Sequence, residues 1–136
     1  MKDISEVMSD LIPTRARRHP LDLRVAYHDA CHLLHGQALH DQPRLLLASI
    51  PNLNILPIPE SNVCCGSGGA YNLLQPVAAA ALGDRKIEQL RTVNADIVAT
   101  SNAGCLLQIQ AAGRRATHNP PVLHPIQLLD ASIRGL

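Results

Sequence analysis

A chain of 136 residues, 46% of them hydrophobic, is long enough to bury one real core. With 1% aromatics, two tyrosines and no Phe or Trp, that core must be aliphatic. A formal net charge of +1 removes the electrostatic case for nucleic acid or an anionic membrane surface.

No apolar run approaches the ~20 residues of a membrane span. The start, Met1-Lys2-Asp3-Ile4-Ser5-Glu6, lacks a signal-peptide core. A cytoplasmic chain is expected, whose four cysteines are ligands or redox groups rather than an extracellular disulfide frame. Ile4, Val7, Met8, Leu11 and Ile12 fall on one helical stripe, which Pro13 interrupts. Residues 1–20 therefore read as an N-terminal helix and linker, with Arg15, Arg17 and Arg18 solvated, and residues 21–136 as one domain. The stripe needs a surface to pack on, either the domain itself or a neighbour if the chain is a piece of something longer.

Residues 21–27 alternate and are rich in strand formers, and His28-Asp29 closes this first strand. A helix over 30–39 follows, with Asp29 as its N-cap. Cys31 then lies in the first turn, where backbone N–H groups favour a thiolate. Pro43 suits the first turn of a further helix to about residue 49. Residues 53–58 form a second strand, ended by Pro57 and Pro59. From residue 71 a helical pattern runs to 93, with Pro76 and Gly83 as places where it would split. Residues 96–100 are a third strand and 101–104 a turn, and Cys105 opens a helix to Gly113. After a polar loop, residues 122–124 are a short fourth strand, and Pro125 starts a last helix to about 133.

This alternation predicts an α/β fold: a three-layer, Rossmann-like unit with a parallel sheet of about four strands and flanking helices. Sites in such sheets form beyond the carboxyl ends of the strands. Every cysteine follows a strand: Cys31 the first, Cys64 and Cys65 the second, Cys105 the third. They should converge at one edge.

The stretch Cys64-Cys65-Gly66-Ser67-Gly68-Gly69 announces the chemistry. Vicinal cysteines cannot close a relaxed disulfide on themselves, because the peptide between them is planar and trans. On a regular strand they would point to opposite faces. In an irregular loop both can converge on one object, and the glycines permit close approach and positive φ. Cys64 and Cys65 are expected to be the core of a metal or iron–sulfur centre, with Cys31 and Cys105 joining from elsewhere.

Four thiolates serve either an iron–sulfur cluster or a zinc. The absence of any C-x-x-C excludes a zinc ribbon and a ferredoxin run. His28 and His32 flank Cys31, with His35 one turn on; they are accessory ligand candidates or ordinary histidines of a polar helix face. His124 follows the fourth strand and faces the same edge. The turn from Gly66 to Tyr71 lacks the third glycine of a dinucleotide site. A thiol–disulfide enzyme working through the vicinal pair would need an activated thiol, and only the helix start at Cys31 offers one. No residue is read as catalytic.

At these residues the chain resembles the cysteine-rich CCG domain of the heterodisulfide reductase-like family, and most of all the C-terminal domain of glycolate oxidase iron–sulfur subunits. The resemblance rests on the stretches Val25 to His32, Ile58 to Gly69, Ala78 to Lys86, Ala99 to Ile109 and His124 to Asp130, and covers about residues 22–132. The family pattern is one cysteine, then C-C-G, then C-x-x-C. Cys31, Cys64, Cys65 and Cys105 match it, but Asn102 stands where the last motif has its first cysteine. Members with all five hold a non-cubane iron–sulfur cluster; four ligands imply a [4Fe–4S] cluster or a zinc.

The resemblance implies electron transfer rather than catalysis. Its partners would be the flavin-containing glycolate oxidase subunits and the other iron–sulfur domains of a longer parent subunit. Electrons would pass toward quinone, with only peripheral association at the inner membrane through the complex. The zinc alternative implies a structural or subunit-docking domain.

Overall fold

The computed structural model describes residues 2–11, 17–31, 38, 40–61 and 63–136. Its elements are α1 (Ile4–Leu11), β1 (Arg24–His28), α2 (Asp41–Ala48), β2 (Asn54–Leu56), α3 (Tyr71–Leu74), α4 (Pro76–Val93), β3 (Ile97–Thr100), α5 (Ala103–Arg115), β4 (Val122–Leu123) and α6 (Pro125–Arg134). The four strands form one parallel sheet in the order β2-β1-β3-β4. The α/β architecture is therefore the one that strand–helix alternation predicts.

The central strand β1 is covered on both faces, and its last four residues are buried. Successive side chains of a strand point to opposite faces. Val25 and Tyr27 accordingly join Leu46, Leu47 and Ile50 from the α2 side and Leu128 and Leu129 of α6. Ala26 joins Ile87 and Leu90 of α4 and Cys105, Ile109 and Ala112 of α5 on the other side. Two helices cover each face, which makes three layers. Among the described residues no helix is long and apolar enough to cross a membrane.

Several boundaries differ from the sequence expectation. β1 begins at Arg24 rather than 21, and it runs through His28, which was expected to lie past its end. β2 is only three residues long. Pro76 does split the long helix, because a proline starts a helix well but cannot continue one. Gly83 does not split it; it lies buried inside α4. α5 starts two residues before Cys105, since Asn102 caps it: its side chain accepts the Cys105 N–H at 3.0 Å.

Cys31 is helical. The rest of the helix expected over 30–39, with His32 and His35, falls almost wholly on residues 32–37 and 39, which lie outside the described residues. The Asp29 carboxylate, expected to cap that helix, is held by the Arg44 guanidinium through two bonds of 2.6 and 2.7 Å. α1 packs on α2 of the same domain, and Met8 reaches the cluster beneath α2 and α6.

Candidate metal centre

The site begins with the sheet. His28 is the last residue of β1 and pairs in register with Thr100, the last of β3. By the alternation of β1 its side chain falls on the Ala26 side, with α4 and α5. Cys105 reaches the same place from the first turn of α5, directly after β3. Cys65 arrives from the loop between β2 and α3, on the same apolar cluster.

That loop is irregular, as the vicinal pair requires. Gly66, Gly68 and Gly69 all have positive φ. At Gly66 the need is strict: φ is +94°, and a Cβ there would lie 2.4 Å from the Ala79 carbonyl oxygen. α4 receives the loop on small residues. A Cβ at Gly83 would stand 3.6 Å from the Cys65 carbonyl oxygen and 3.2 Å from the Ala112 Cβ.

The donor atoms of His28, Cys65 and Cys105 all lie within 4.8 Å of one another, and all three residues are buried. Cys105 beside it, helped by Ser67, holds the Cys65 thiol well below its ordinary pKa. The same close pairing, with burial, pushes the Cys105 thiol up. A metal ion bound to both sulfurs would displace the protons they hold. Ser67 Oγ lies 3.7 Å from Cys105 Sγ.

Cys31 is half-buried. It lines a cavity of about 280 Å³ together with Ser67, Gly68, Gly69, Asn102 and Cys105. Cys64 is also half-buried, and its sulfur accepts the Gly66 N–H at 3.2 Å. The fold thus brings Cys65 and Cys105 together most closely and sets Cys31 and Cys64 on the margin of the pair. The donor set fits a metal or cluster: buried thiols and an imidazole at the carboxyl edge of a parallel sheet, against a loop whose glycines let backbone come close.

Among the described residues, neither ring nitrogen of His28 nor the Thr100 hydroxyl has a hydrogen-bond partner. Leaving such groups buried and unpaired costs about 1–3 kcal/mol each. His124 has a different role. Its Nδ1 accepts the Ile126 N–H at 3.2 Å and its Nε2 lies 3.3 Å from the Ser101 carbonyl oxygen. It caps α6, with Gln127 closing a capping box.

Two charged residues, Lys86 and Arg44, stand outside the expected site residues, although Lys86 ends the matching stretch from Ala78. Lys86 is only 1% exposed. It follows Ala79 and Gly83 on the α4 stripe that meets the cysteine loop, and its ammonium donates to the Glu60 carbonyl at 2.8 Å. Arg85 and Gln89 hold the Glu60 carboxylate. Three side chains of α4 therefore pin the segment that leads into Cys64. The signal that could have found Lys86 is its place on a buried stripe of helical period. Arg44 pairs with buried Asp29 and stacks 4.8 Å from the Tyr27 ring centroid. Both partners are distant in sequence, and no local pattern marks it.

Residues 25–110 match the family of cysteine-rich domains described as CCG. The chain is 38% identical over 129 residues to a fumarate reductase (CoM/CoB) subunit of Methanothermobacter marburgensis, covering 94% of this chain and 26% of that protein. It is 30% identical over 139 residues to the glycolate oxidase iron–sulfur subunit of Escherichia coli, covering 97% and 32%. It is 26% identical over 129 residues to lactate utilization protein A of a Geobacillus species, covering 95% and 54%. The chain thus spans about a quarter to a half of the length of these relatives.

Proposed function

This chain belongs to the CCG cysteine-rich domain family, and from that premise we propose that it is an iron–sulfur electron-transfer domain. Cys31, Cys64, Cys65 and Cys105 would hold the cluster, of the [4Fe–4S] type. The observation that carries this reading is the gathering of buried Cys65, Cys105 and His28 at one sheet edge, with Cys31 on the adjoining cavity. Three similar proteins are iron–sulfur subunits or proteins by name, one of glycolate oxidase, one from Methanococcus maripaludis and one from Methanocaldococcus jannaschii.

In the fuller reading, the domain passes electrons from a flavin-containing subunit of a glycolate oxidase-type complex toward quinone. Residues 21–136 form the domain, and residues 1–20 are an N-terminal helix and linker. Exposed Leu73, Leu74 and Val77, directly after the glycine turn, offer an apolar surface beside the centre where such a partner would dock.

Zinc is the second reading, and the mixed donor set favours it: His28, Cys65 and Cys105 bring an imidazole and two thiols within 4.8 Å of one another, a ligand combination common in zinc sites. The domain would then be a structural or docking clamp.

Iron, sulfide and zinc measured in protein purified without oxygen, with the visible spectrum, decide between the two. Iron and sulfide at about four each per chain, with absorbance bleached by dithionite, support the electron carrier. One zinc and no colour supports the clamp. Protein that holds neither metal, after reconstitution as well as purification, sinks both readings.

A further inference from the structure

We propose that His28 is a direct ligand of the metal centre, making the site a mixed thiolate–imidazole one. The inference rests on the metal-centre reading and puts His28, beside Cys65 and Cys105, in the ligand position of one of the two marginal cysteines, Cys31 or Cys64.

The backbone puts His28 there. Even-numbered residues of β1 face α4 and α5, so the imidazole enters the space between Cys65 and Cys105. It is 1% exposed, and among the described residues both ring nitrogens lack a partner. Its register partner Thr100 is also buried, with its hydroxyl unpaired. Two adjacent strand ends thus present unsatisfied polar groups to the same side as the two buried sulfurs. A metal bound to one ring nitrogen removes the largest of these deficits.

The alternative source of a further donor is Asn102, which stands where the family pattern has a cysteine. Its Oδ1 accepts the Cys105 N–H and caps α5. That bond serves the helix that carries Cys105. Imidazole is moreover a common companion of thiolate, both in zinc sites and in iron–sulfur centres, where it raises the reduction potential.

The test uses the full chain labelled with nitrogen-15 histidine, purified without oxygen and reconstituted with ferrous iron and sulfide. Pulsed electron paramagnetic resonance of the reduced protein should show one strongly coupled histidine nitrogen. His28→Gln should lose this coupling and His32→Gln should keep it. His28→Cys should retain iron and move the midpoint potential to a more negative value. Iron-loaded wild-type protein without a strongly coupled nitrogen overturns the assignment and leaves an all-thiolate centre standing. Coupling that survives His28→Gln overturns it as well. If the chain takes zinc, X-ray absorption at the zinc edge should show imidazole scattering, and an all-sulfur shell overturns the proposal. A chain that binds neither metal overturns this proposal together with the reading beneath it. Should His28→Gln fail to fold, the wild-type spectrum and the His28→Cys potential still decide.

Discussion

The two faces of the sheet are built from the same strand to opposite ends. Odd-numbered residues of β1, Val25 and Tyr27, meet the leucines of α2 and α6, and this face is an apolar layer in which the Tyr27 hydroxyl is bonded to Ser101. The even-numbered Ala26 and His28 meet α4 and α5. There the same layer carries two thiols, an imidazole, an unpaired threonine hydroxyl and a lysine. Apolar burial on the first face stabilises without help, at about 25 cal/mol per Å². On the second face, burial costs free energy wherever a polar group lacks a partner. One face therefore holds the fold, and the other holds a site that a ligand completes.

The largest effect should come from the apolar face. Leu47 is fully buried, and Leu47→Ala should cost about 3 kcal/mol by transfer and cavity together. Urea unfolding measures it, in metal-free and metal-loaded protein alike. Metal content per folded chain should stay unchanged. A loss of metal in parallel would show that the two faces are not independent.

Gly66→Ala strikes the other face and should cost about 2 kcal/mol, from a strained φ and the approach to the Ala79 carbonyl. Here metal content should fall with stability, because any shift that relieves the overlap moves Cys65. Variant protein that binds metal as the wild type does would break the link between loop geometry and site.

Arg44→Ala should cost about 2 kcal/mol, less than a fully buried pair because the guanidinium is partly exposed. It leaves the Asp29 carboxylate buried without its counter-charge. Arg44→Ala combined with Asp29→Asn should recover part of the loss, and a double-mutant cycle by urea unfolding measures the coupling. An additive result would mean that the pair contributes nothing of its own.

Much of this was legible in the chain itself. The alternation of apolar runs and turn residues sets the parallel sheet and its layers, because buried strands and amphipathic helices have different periods. The cysteines reach one edge because each follows a strand, and that too is a matter of order along the chain. What period and order could not reveal is orientation at the strand end. His28 reads as a residue past the strand, and only its continued pairing with Thr100 directs its ring toward Cys65 and Cys105. His124 reads as a candidate at the same edge, yet its ring is occupied as a helix cap. Lys86 belongs in sequence to the helical pattern and to the matching stretch from Ala78, yet only the packing of α4 on the cysteine loop buries it.

Lys86 gives the smallest expected change in stability and separates the faces most finely. Burial holds its ammonium below the ordinary lysine pKa of 10.5, while Cys65, Glu60 and Cys64 pull it back up. With the folded pKa depressed, the native state binds its proton less readily than the unfolded chain does. Its burial therefore costs free energy at neutral pH, and the cost fades as pH rises through the folded pKa toward 10.5. In metal-free protein, Lys86→Met should be as stable as the wild type at pH 7 or more stable by up to ~1 kcal/mol, since an apolar side chain of similar size escapes desolvation. The advantage should shrink as pH rises toward that of free lysine, and urea unfolding across this range checks the sign. A bonded ammonium that contributed net stability would give the opposite slope, with Lys86→Met losing most at neutral pH. The first outcome marks Lys86 as a charge that the site face carries at a cost to the fold. The second would make it one more structural tie, and the two faces would differ less than their residues suggest.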